Sequence, residues 1–590
     1  MSRAAKPDRV KWLNFSVIGL FLLAAFSQAK VQIFDRAHTL ARARETQRFD
    51  MSRTEYARRG AILSADGKAL AQDQDAYELG ITFVKVPQSD AFFMDLSSAT
   101  GIPATEFSEL AASGVKSGSW KQEMSPLQAK AVGQVKNDWR ADGLSLSRRA
   151  KRSYALGYAA AGVIGAIRDG KPVSGLEAAE NRVLAGRDGK TIGLLDRTGA
   201  FLPMRIEAGS TEKMDGLPVL TTIDSGLQEL ASEVIKDSVT KYNADSGVII
   251  VMDPKTGDVL AMSNYPTYNP GIAANIATAD ERTSDINSTI QERFEPGSMF
   301  KILTLAKAFD AGKTSATDTV YCSGQMSVAG SKPFHCDKHE VHGRVTPEMA
   351  IAESCNIAAA NWSLRVGYDG MVSYIKDLGL LKPTRVGLPG EVHGQFRENE
   401  PAKQLQIAHV GFGQSITATP IGLCSAFTMV ANGGIRMQPR LVQKIGSTPN
   451  PVKSLGRVVK PESAEFVRHC MEAVIQSDSG TGKTLQIPGY RLAGKTGTAQ
   501  KIGPGQTGHV ANFVGFVPAV NPKAVVLVMI DNPKGAVFYG APVAGPCFQK
   551  VAKGVIRRFN IPPTEGLGNT VVSKVASAPL IRKAKVSAPR

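Results

Sequence analysis

Six cysteines in 590 residues are too few for a disulfide scaffold, and a chain of this length can bury a core without one. Charged residues make up only 21% of the chain against 43% hydrophobic residues, which excludes disorder throughout. The 57 glycines and 32 prolines follow no strict triplet, so nothing here is collagenous. No internal repeat is visible, and at roughly 100–200 residues per domain the length predicts two to four domains. Acid is the scarcer charge, 53 Asp and Glu against 70 Lys and Arg, leaving a net charge of +17. Such an excess suits a polyanionic neighbour: nucleic acid, anionic lipid or an acidic cell-wall polymer. Acid is absent altogether after Glu565, where Lys574, Arg582, Lys583, Lys585 and Arg590 stand among Ala, Ser and Pro, so residues 562–590 read as a disordered basic tail.

Long apolar runs are equally scarce. The one candidate, Trp12 to Ala29, is uncharged and lies between Lys11 and Lys30. As a helix it would reach about 27 Å, enough to cross a hydrocarbon core. Arg3, Lys6, Arg9 and Lys11 precede it with only Asp8 opposing, which keeps residues 1–11 cytoplasmic and makes 12–34 a single-pass anchor. A cleaved signal peptide is the alternative, with Ser27-Gln28-Ala29 as its cleavage site, but the run is long for that role. Either way the remainder lies outside the cytoplasm, which argues against nucleic acid as the partner of the positive charge.

Residues 36–56 are highly charged and read as a solvated stalk. Arg58 to Lys68 reads as strand, tight turn, strand. The stretch 70–220 mixes short strands and amphipathic segments without a catalytic cluster, and the texture changes at Thr221. Ser246–Ser263 predicts a hairpin about a Pro-Lys-Thr-Gly turn, and Ala524–Ile530 a strand buried on both faces. Strands at both ends of a helical middle predict an α+β domain whose sheet joins distant segments.

Three short patterns carry chemistry. Pro296 and Gly297 suit a helix start, which places Ser298 at its N-terminus and Lys301 one turn later on the same face. A serine nucleophile and a lysine base would sit together there, provided the lysine pKa falls by about three units, or about 4 kcal/mol. Ser113/Lys116 and Ser238/Lys241 match the same spacing and read as helix-surface pairs. Ser354 and Asn356 offer a hydroxyl and an amide across a turn, able to hold a substrate or relay a proton. Lys495-Thr496-Gly497-Thr498 adds a second cation, two hydroxyls and a glycine that lets a ligand lie against a strand edge. Lys255-Thr256-Gly257 repeats part of this pattern but falls in the hairpin turn. Gly489 to Thr496 also satisfies the P-loop pattern, yet the Gly- and Pro-rich GTAQKIGPGQTG that follows cannot form the helix a P-loop requires.

Ser-x-x-Lys, Ser-x-Asn and Lys-Thr-Gly in this order are the set of β-lactamases and penicillin-binding proteins. With RRGAILSADGKALA, GLEAAENRVLAG, VMDPKTGDVLAMSNYPTYNP, GFGQSITATPIGL and FYGAPVAGPCF, the chain resembles a class B penicillin-binding protein, most like the division-specific penicillin-binding protein 3. The resemblance implies a β-lactamase-like serine-transpeptidase domain over 221–561 and a pedestal of the dimerisation type over 35–220. It implies acyl transfer from a D-alanyl-D-alanine stem peptide of peptidoglycan, with β-lactam antibiotics as mimics. Ser298 would be the nucleophile and Lys301 its base, while Ser354 and Asn356 would relay the proton and hold the amide. Lys495 would shape the field, and Thr496, Gly497 and Thr498 would bind the terminal carboxylate. No cofactor is implied, and the implied partners are a polytopic glycan polymerase and division proteins. Elongation and sporulation types remain open beside the division type. So do, with less support, a β-lactamase, a β-lactam sensor and a non-catalytic scaffold. The family has Asp-Arg-x-Gly where Ser64-Ala65-Asp66-Gly67 stands, and Gly-Gly where Gly540-Ala541 stands.

Cys322, Cys336, His342 and Cys355, with His335 and His339 between them, leave three readings open beside this site: zinc, a disulfide or free thiols. Cys424, Cys470 and Cys547 lie in apolar contexts and read as core residues.

Overall fold

A computed structural model describes residues 9–30, 51–168, 170–195, 201–206, 209–271, 284–398, 402–500 and 508–564. The tail beyond residue 564 and residues 36–50 of the expected stalk lie outside them.

Contacts divide the chain into two units. The smaller holds residues up to Gly60 together with Ala185–Gly216. Helix α1 (Arg9–Ala29) lies in it, and its Trp12–Ala29 stretch has a mean hydropathy of 1.5 with no part buried. Among the described residues it is the one helix long and apolar enough to cross a membrane. A three-stranded antiparallel sheet (Met51–Glu55, Gly189–Leu195, Phe201–Ile206) completes this unit.

The larger unit holds Ala61–Leu184 and everything from Leu217 onward. Its first sheet includes the strand–turn–strand expected near residue 60: Ile62–Leu63 returns as Ala69–Thr82. The buried Ser64 closes the turn by taking the Lys68 N–H on its hydroxyl at 3.1 Å, and Gly67 supplies the left-handed φ of +81°. Val219–Thr221 pairs in parallel with Ile62–Leu63 and antiparallel with Val442–Ile445, so one sheet binds segments from both sides of position 220. Beneath it, Arg152 reaches Glu177 at 2.7 Å and Asp73 at 3.1 Å; all three side chains are buried.

The second sheet positions the site. Helix α2 (Ser225–Lys241), capped by Asp224 on the Leu227 N–H, leads into β1 (Ser246–Met252) and β2 (Val259–Tyr265), the expected hairpin. Helices α3 (Phe300–Asp310), α4 (Pro347–Ala352), α5 (Asn356–Val366), α6 (Pro420–Ala431) and α7 (Pro461–Gln476) follow. Strands β3 (Ala493–Gln500), β4 (His509–Val517) and β5 (Ala524–Asp531) and helix α8 (Gly545–Arg558) end the fold. The strand order is β2-β1-β5-β4-β3, antiparallel throughout.

Strand alternation assigns the two faces. Ile249, Val251, Val526 and Val528 pack with α2 and α8, whereas Val248, Ile250, Val525 and Leu527 face the helical core built on α3, α5 and α6. Covered on both sides from Ala524 to Ile530, β5 reads there as the unbroken apolar run AVVLVMI and ends at the partly buried Asp531. Helix α3 is likewise buried almost all round, and Gly312 just beyond it takes the left-handed φ of +65° expected of a helix stop. The sequence expectation of an α+β fold joining distant strands is met.

Candidate active site

Ser298 sits in a single 3₁₀ turn, Gly297–Met299, that runs directly into α3. Gly297 has a φ of +54°, and its N–H donates to the Gly413 carbonyl at 3.0 Å. A β-carbon at Gly413 would stand 2.1 Å from the Gly297 oxygen, so the glycine at 413 is what lets the serine-bearing turn lie so close. On its other side the turn meets β3, because a β-carbon at Gly297 would be 3.3 Å from the Thr498 oxygen. The partly exposed Ser298 therefore lies between Gly413 and the edge strand β3.

Lys301 follows one turn later and is 1% exposed. Its Nζ donates to the carbonyl and, at 3.1 Å, to the hydroxyl of Ser354. Lys495, on β3 and fully buried, donates to the same Ser354 Oγ at 2.9 Å and to the Thr496 carbonyl at 3.1 Å. Burial pushes the Lys301 pKa down to about 8 against the opposing pull of Cys355, Cys336, Asp337 and Cys322. Burial and the nearby Lys301 charge hold Lys495 well below the ordinary lysine range. Two ammonium groups converging on one hydroxyl in a dry site repel, which favours a neutral amine at one of them. Among the described residues no hydrogen bond joins Ser298 to Lys301; both lysines instead converge on Ser354.

Ser354 occupies the turn between α4 and α5 at a φ of +61°, a strained conformation for a residue with a β-carbon. Cys355 caps α5, and Asn356 opens it. Asn356 Nδ2 donates to the His335 carbonyl at 2.7 Å. On β3, Thr496 Oγ1 lies 3.2 Å from Thr481 Oγ1, and Thr498 Oγ1 accepts the Gly540 N–H at 3.1 Å. The structure thus brings Ser298, Lys301, Ser354, Asn356, Lys495, Thr496, Gly497 and Thr498 into one region.

The lookalike motifs stand apart. Ser113 is exposed and bonds its own helix at the Leu110 carbonyl, while Ser238 faces Cys547. Lys255 reaches Asn521 from the hairpin turn. The Gly489–Thr496 stretch leads into strand β3, with Lys495 opposite Val514 on β4, so no P-loop helix forms.

Two supports, Thr481 and Gly413, escaped the sequence reading, and a third, Gly540, was noted there only as half of a departure from the family pattern. Thr481 comes from the loop after α7 and also ties back to the Ala352 carbonyl at 3.1 Å. Gly413 lay unremarked within GFGQS. At Gly540 a β-carbon would meet the Gly497 oxygen at 2.3 Å, so a glycine is required there, whereas Ala541 is partly exposed and tolerates its methyl.

A partly exposed serine at a helix start beside two buried lysines is an arrangement able to support acyl transfer. Residues 247–553 match the penicillin binding protein transpeptidase domain, and residues 54–219 match the penicillin-binding protein dimerisation domain. Among curated proteins, the chain is 31% identical to Stage V sporulation protein D of Bacillus subtilis, over 71% of this chain and 66% of that one. It is 30% identical to the probable peptidoglycan D,D-transpeptidase PenA of Neisseria gonorrhoeae, over 87% and 86%. Among solved structures, penicillin binding protein 3 of Mycobacterium tuberculosis complexed with aztreonam superposes with a TM-score of 0.67 at 26% identity, covering 87% of this chain and 98% of that one. The chain belongs to the class B penicillin-binding proteins and is a serine-type peptidoglycan D,D-transpeptidase.

Proposed function

We propose that this chain cross-links peptidoglycan stem peptides at the division septum through an acyl-enzyme on Ser298, anchored by α1 with its catalytic domain outside the cytoplasm. The observation that carries the catalytic part is the convergence of the buried Lys301 and Lys495 on Ser354 Oγ beside Ser298. In this reading Ser298 Oγ bonds to the penultimate D-alanine carbonyl carbon as its proton passes to neutral Lys301. The bond to the terminal D-alanine then breaks, and the proton travels through the Ser354 hydroxyl to the leaving amine. An amine from a neighbouring stem takes the acyl group and completes the cross-link. Backbone N–H groups of Ser298 and Thr498 serve as the oxyanion hole, an element worth about 3–4 kcal/mol in other enzymes. Thr498 Oγ1 already accepts the Gly540 N–H, so its own proton is free to turn outward to the substrate carboxylate. Thr496 and Gly497 line the same edge, Lys495 orients the Ser354 hydroxyl through its hydrogen bond, and Asn356 holds the substrate amide.

Penicillin offers the same acyl donor in a strained ring. A labelled penicillin should mark the wild-type chain through a boiled gel and leave Ser298→Ala unmarked, while Ser113→Ala and Ser238→Ala label normally. Persistent labelling of Ser298→Ala would sink the assignment.

The septal role, with a polytopic glycan polymerase and division proteins as partners, is supported by the likeness to penicillin binding protein 3. The likeness to Stage V sporulation protein D favours a sporulation role as the second reading. Depletion separates them: filaments lacking septa support the first, and normal division with defective spores the second.

A further inference from the structure

We propose that Cys322, Cys336, His342 and Cys355 hold one structural zinc ion that fixes the Ser354-Cys355-Asn356 turn. The inference is independent of the acyl-transfer reading, because it concerns a metal behind the site rather than a reacting group.

Strand register gathers Cys322 and His342. Cys322 ends the strand Val320–Cys322 and pairs with Gly343, which carries His342 alongside it. Cys336 lies at the start of the Asp337–His339 turn, and Cys355 is the N-cap of α5, accepting the Ala358 N–H at 3.4 Å. The four donor atoms all lie within 4.8 Å of one another. Cys322 Sγ is 3.6 Å from Cys336 Sγ and 3.4 Å from His342 Nδ1, and Cys336 Sγ is 3.8 Å from Cys355 Sγ. A tetrahedral zinc with its usual bond lengths sets sulfurs about 3.8 Å apart and sulfur and nitrogen about 3.5 Å apart. These sites fit that shell.

The alternatives leave groups over. Three thiols cannot all pair, so any disulfide would strand one buried thiol beside the imidazole. Three free thiols outside the cytoplasm would be open to oxidation, which metal ligation prevents. All three sulfurs are buried, and the His342 side chain is only 7% exposed. Its Nε2 is a buried polar atom without a hydrogen-bond partner and points toward the Glu340 carboxylate at 3.7 Å, the side on which a metal-bound histidine meets its supporting acid.

The position gives the ion its task. Cys355 is the middle residue of the Ser-x-Asn motif, and Cys336 is covalently next to His335, whose carbonyl takes the Asn356 amide. One ion would therefore clamp both sides of the turn that holds Ser354 at its strained φ of +61°.

The test is metal analysis of the full-length chain, extracted in detergent without chelators. The expected content is about one zinc per chain, and cobalt in its place should give thiolate-to-cobalt charge transfer and tetrahedral d–d bands. Cys322→Ser and His342→Ala should lower the metal content about tenfold or more, and Cys424→Ser, a buried cysteine elsewhere, should leave it unchanged. His342→Cys should keep the metal with a shifted cobalt spectrum, so the site remains testable even if the other variants fail to fold. Ser298→Ala should retain full zinc, which separates this inference from the reaction. A metal-free wild-type chain overturns the proposal, whether its thiols are free or two of them are joined in a disulfide. Zinc at wild-type level in folded Cys322→Ser and His342→Ala also overturns it.

Discussion

Asn356 Nδ2 donates to the backbone oxygen of His335 at 2.7 Å. This bond commits one amide proton of the Ser-x-Asn motif to the protein, leaving the other proton and the amide oxygen for substrate. Asn356→Asp would replace the donor with an acceptor facing a carbonyl. Penicillin acylation should fall about 10- to 100-fold as the amide moves. Acylation by Asn356→Asp at the wild-type rate would contradict this positioning.

On the proposed mechanism, the burial of Lys301 serves the reaction at the expense of stability. Keeping it ionised at neutral pH costs on the order of 3 kcal/mol, given a pKa of about 8 against an ordinary value of 10.5. Lys301→Met removes that cost at similar volume. The variant should therefore melt a few degrees higher while taking up no labelled penicillin. A lower melting temperature would show that its hydrogen bonds to Ser354 outweigh the burial.

The same lysine sets a pH profile. Its lowered pKa means the neutral base becomes the major form only above about pH 8. The acylation rate should rise with pH up to that point and then level off. Stability follows with the same sign. Between about 8 and 10.5 the unfolded lysine binds a proton that the folded one does not, so its burial penalty fades as pH rises. Stopped-flow acylation from pH 6 to 10 measures the midpoint, and a flat profile would remove Lys301 as the base.

Arg152, Asp73 and Glu177 form a buried charge cluster that shares no residue with the candidate site. Glu177→Ala would leave Arg152 short of a partner it cannot replace with water. A loss of about 3–5 kcal/mol is expected in denaturant unfolding, with an unchanged acylation rate in the chain that remains folded.

Gly540 and Ala541 give the sharpest contrast between neighbours. Gly540→Ala would drive a methyl into the Gly497 backbone and should cost both folding and acylation, whereas Ala541→Gly should change neither by more than about twofold. Equal effects at the two positions would refute the packing account.

The anchor is testable at the terminus itself. Protein extracted from membranes should begin before Trp12, and a mature terminus at Lys30 would mean that α1 is removed as a signal.

Much of this was legible in the sequence because local rules produce it. The hairpin of β1 and β2, the apolar strand β5 and the stop at Gly312 all follow from periodicity and turn chemistry. The motif residues were legible as a set, although each alone was ambiguous. What could not be read was anything decided by distant contact. No spacing rule reveals that Lys301 and Lys495 share one hydroxyl, that Thr481 reaches Thr496, or that Val219–Thr221 lies in a sheet with Ile62–Leu63. Cys322, Cys336, His342 and Cys355 were legible as a group, but not how near their donor atoms come, which depends in part on the register of a two-stranded ribbon.

The joining of β1 to β5 has a consequence for how the enzyme is made. Ile249 pairs with Val528, so a strand near the start of the domain waits for one near its end. At about 5–20 residues per second, roughly ten seconds to a minute separates the two during synthesis. Throughout that interval the apolar faces of β1, β2 and α3 lack their cover, and Ser298 lacks the strand that carries Lys495. A half-made chain is thus open to aggregation and to chaperones, yet inert to antibiotic. Drug sensitivity begins only when β3, β4 and β5 arrive, so inhibitor binding reports completed folding, and slowed synthesis should lower labelling before it lowers protein.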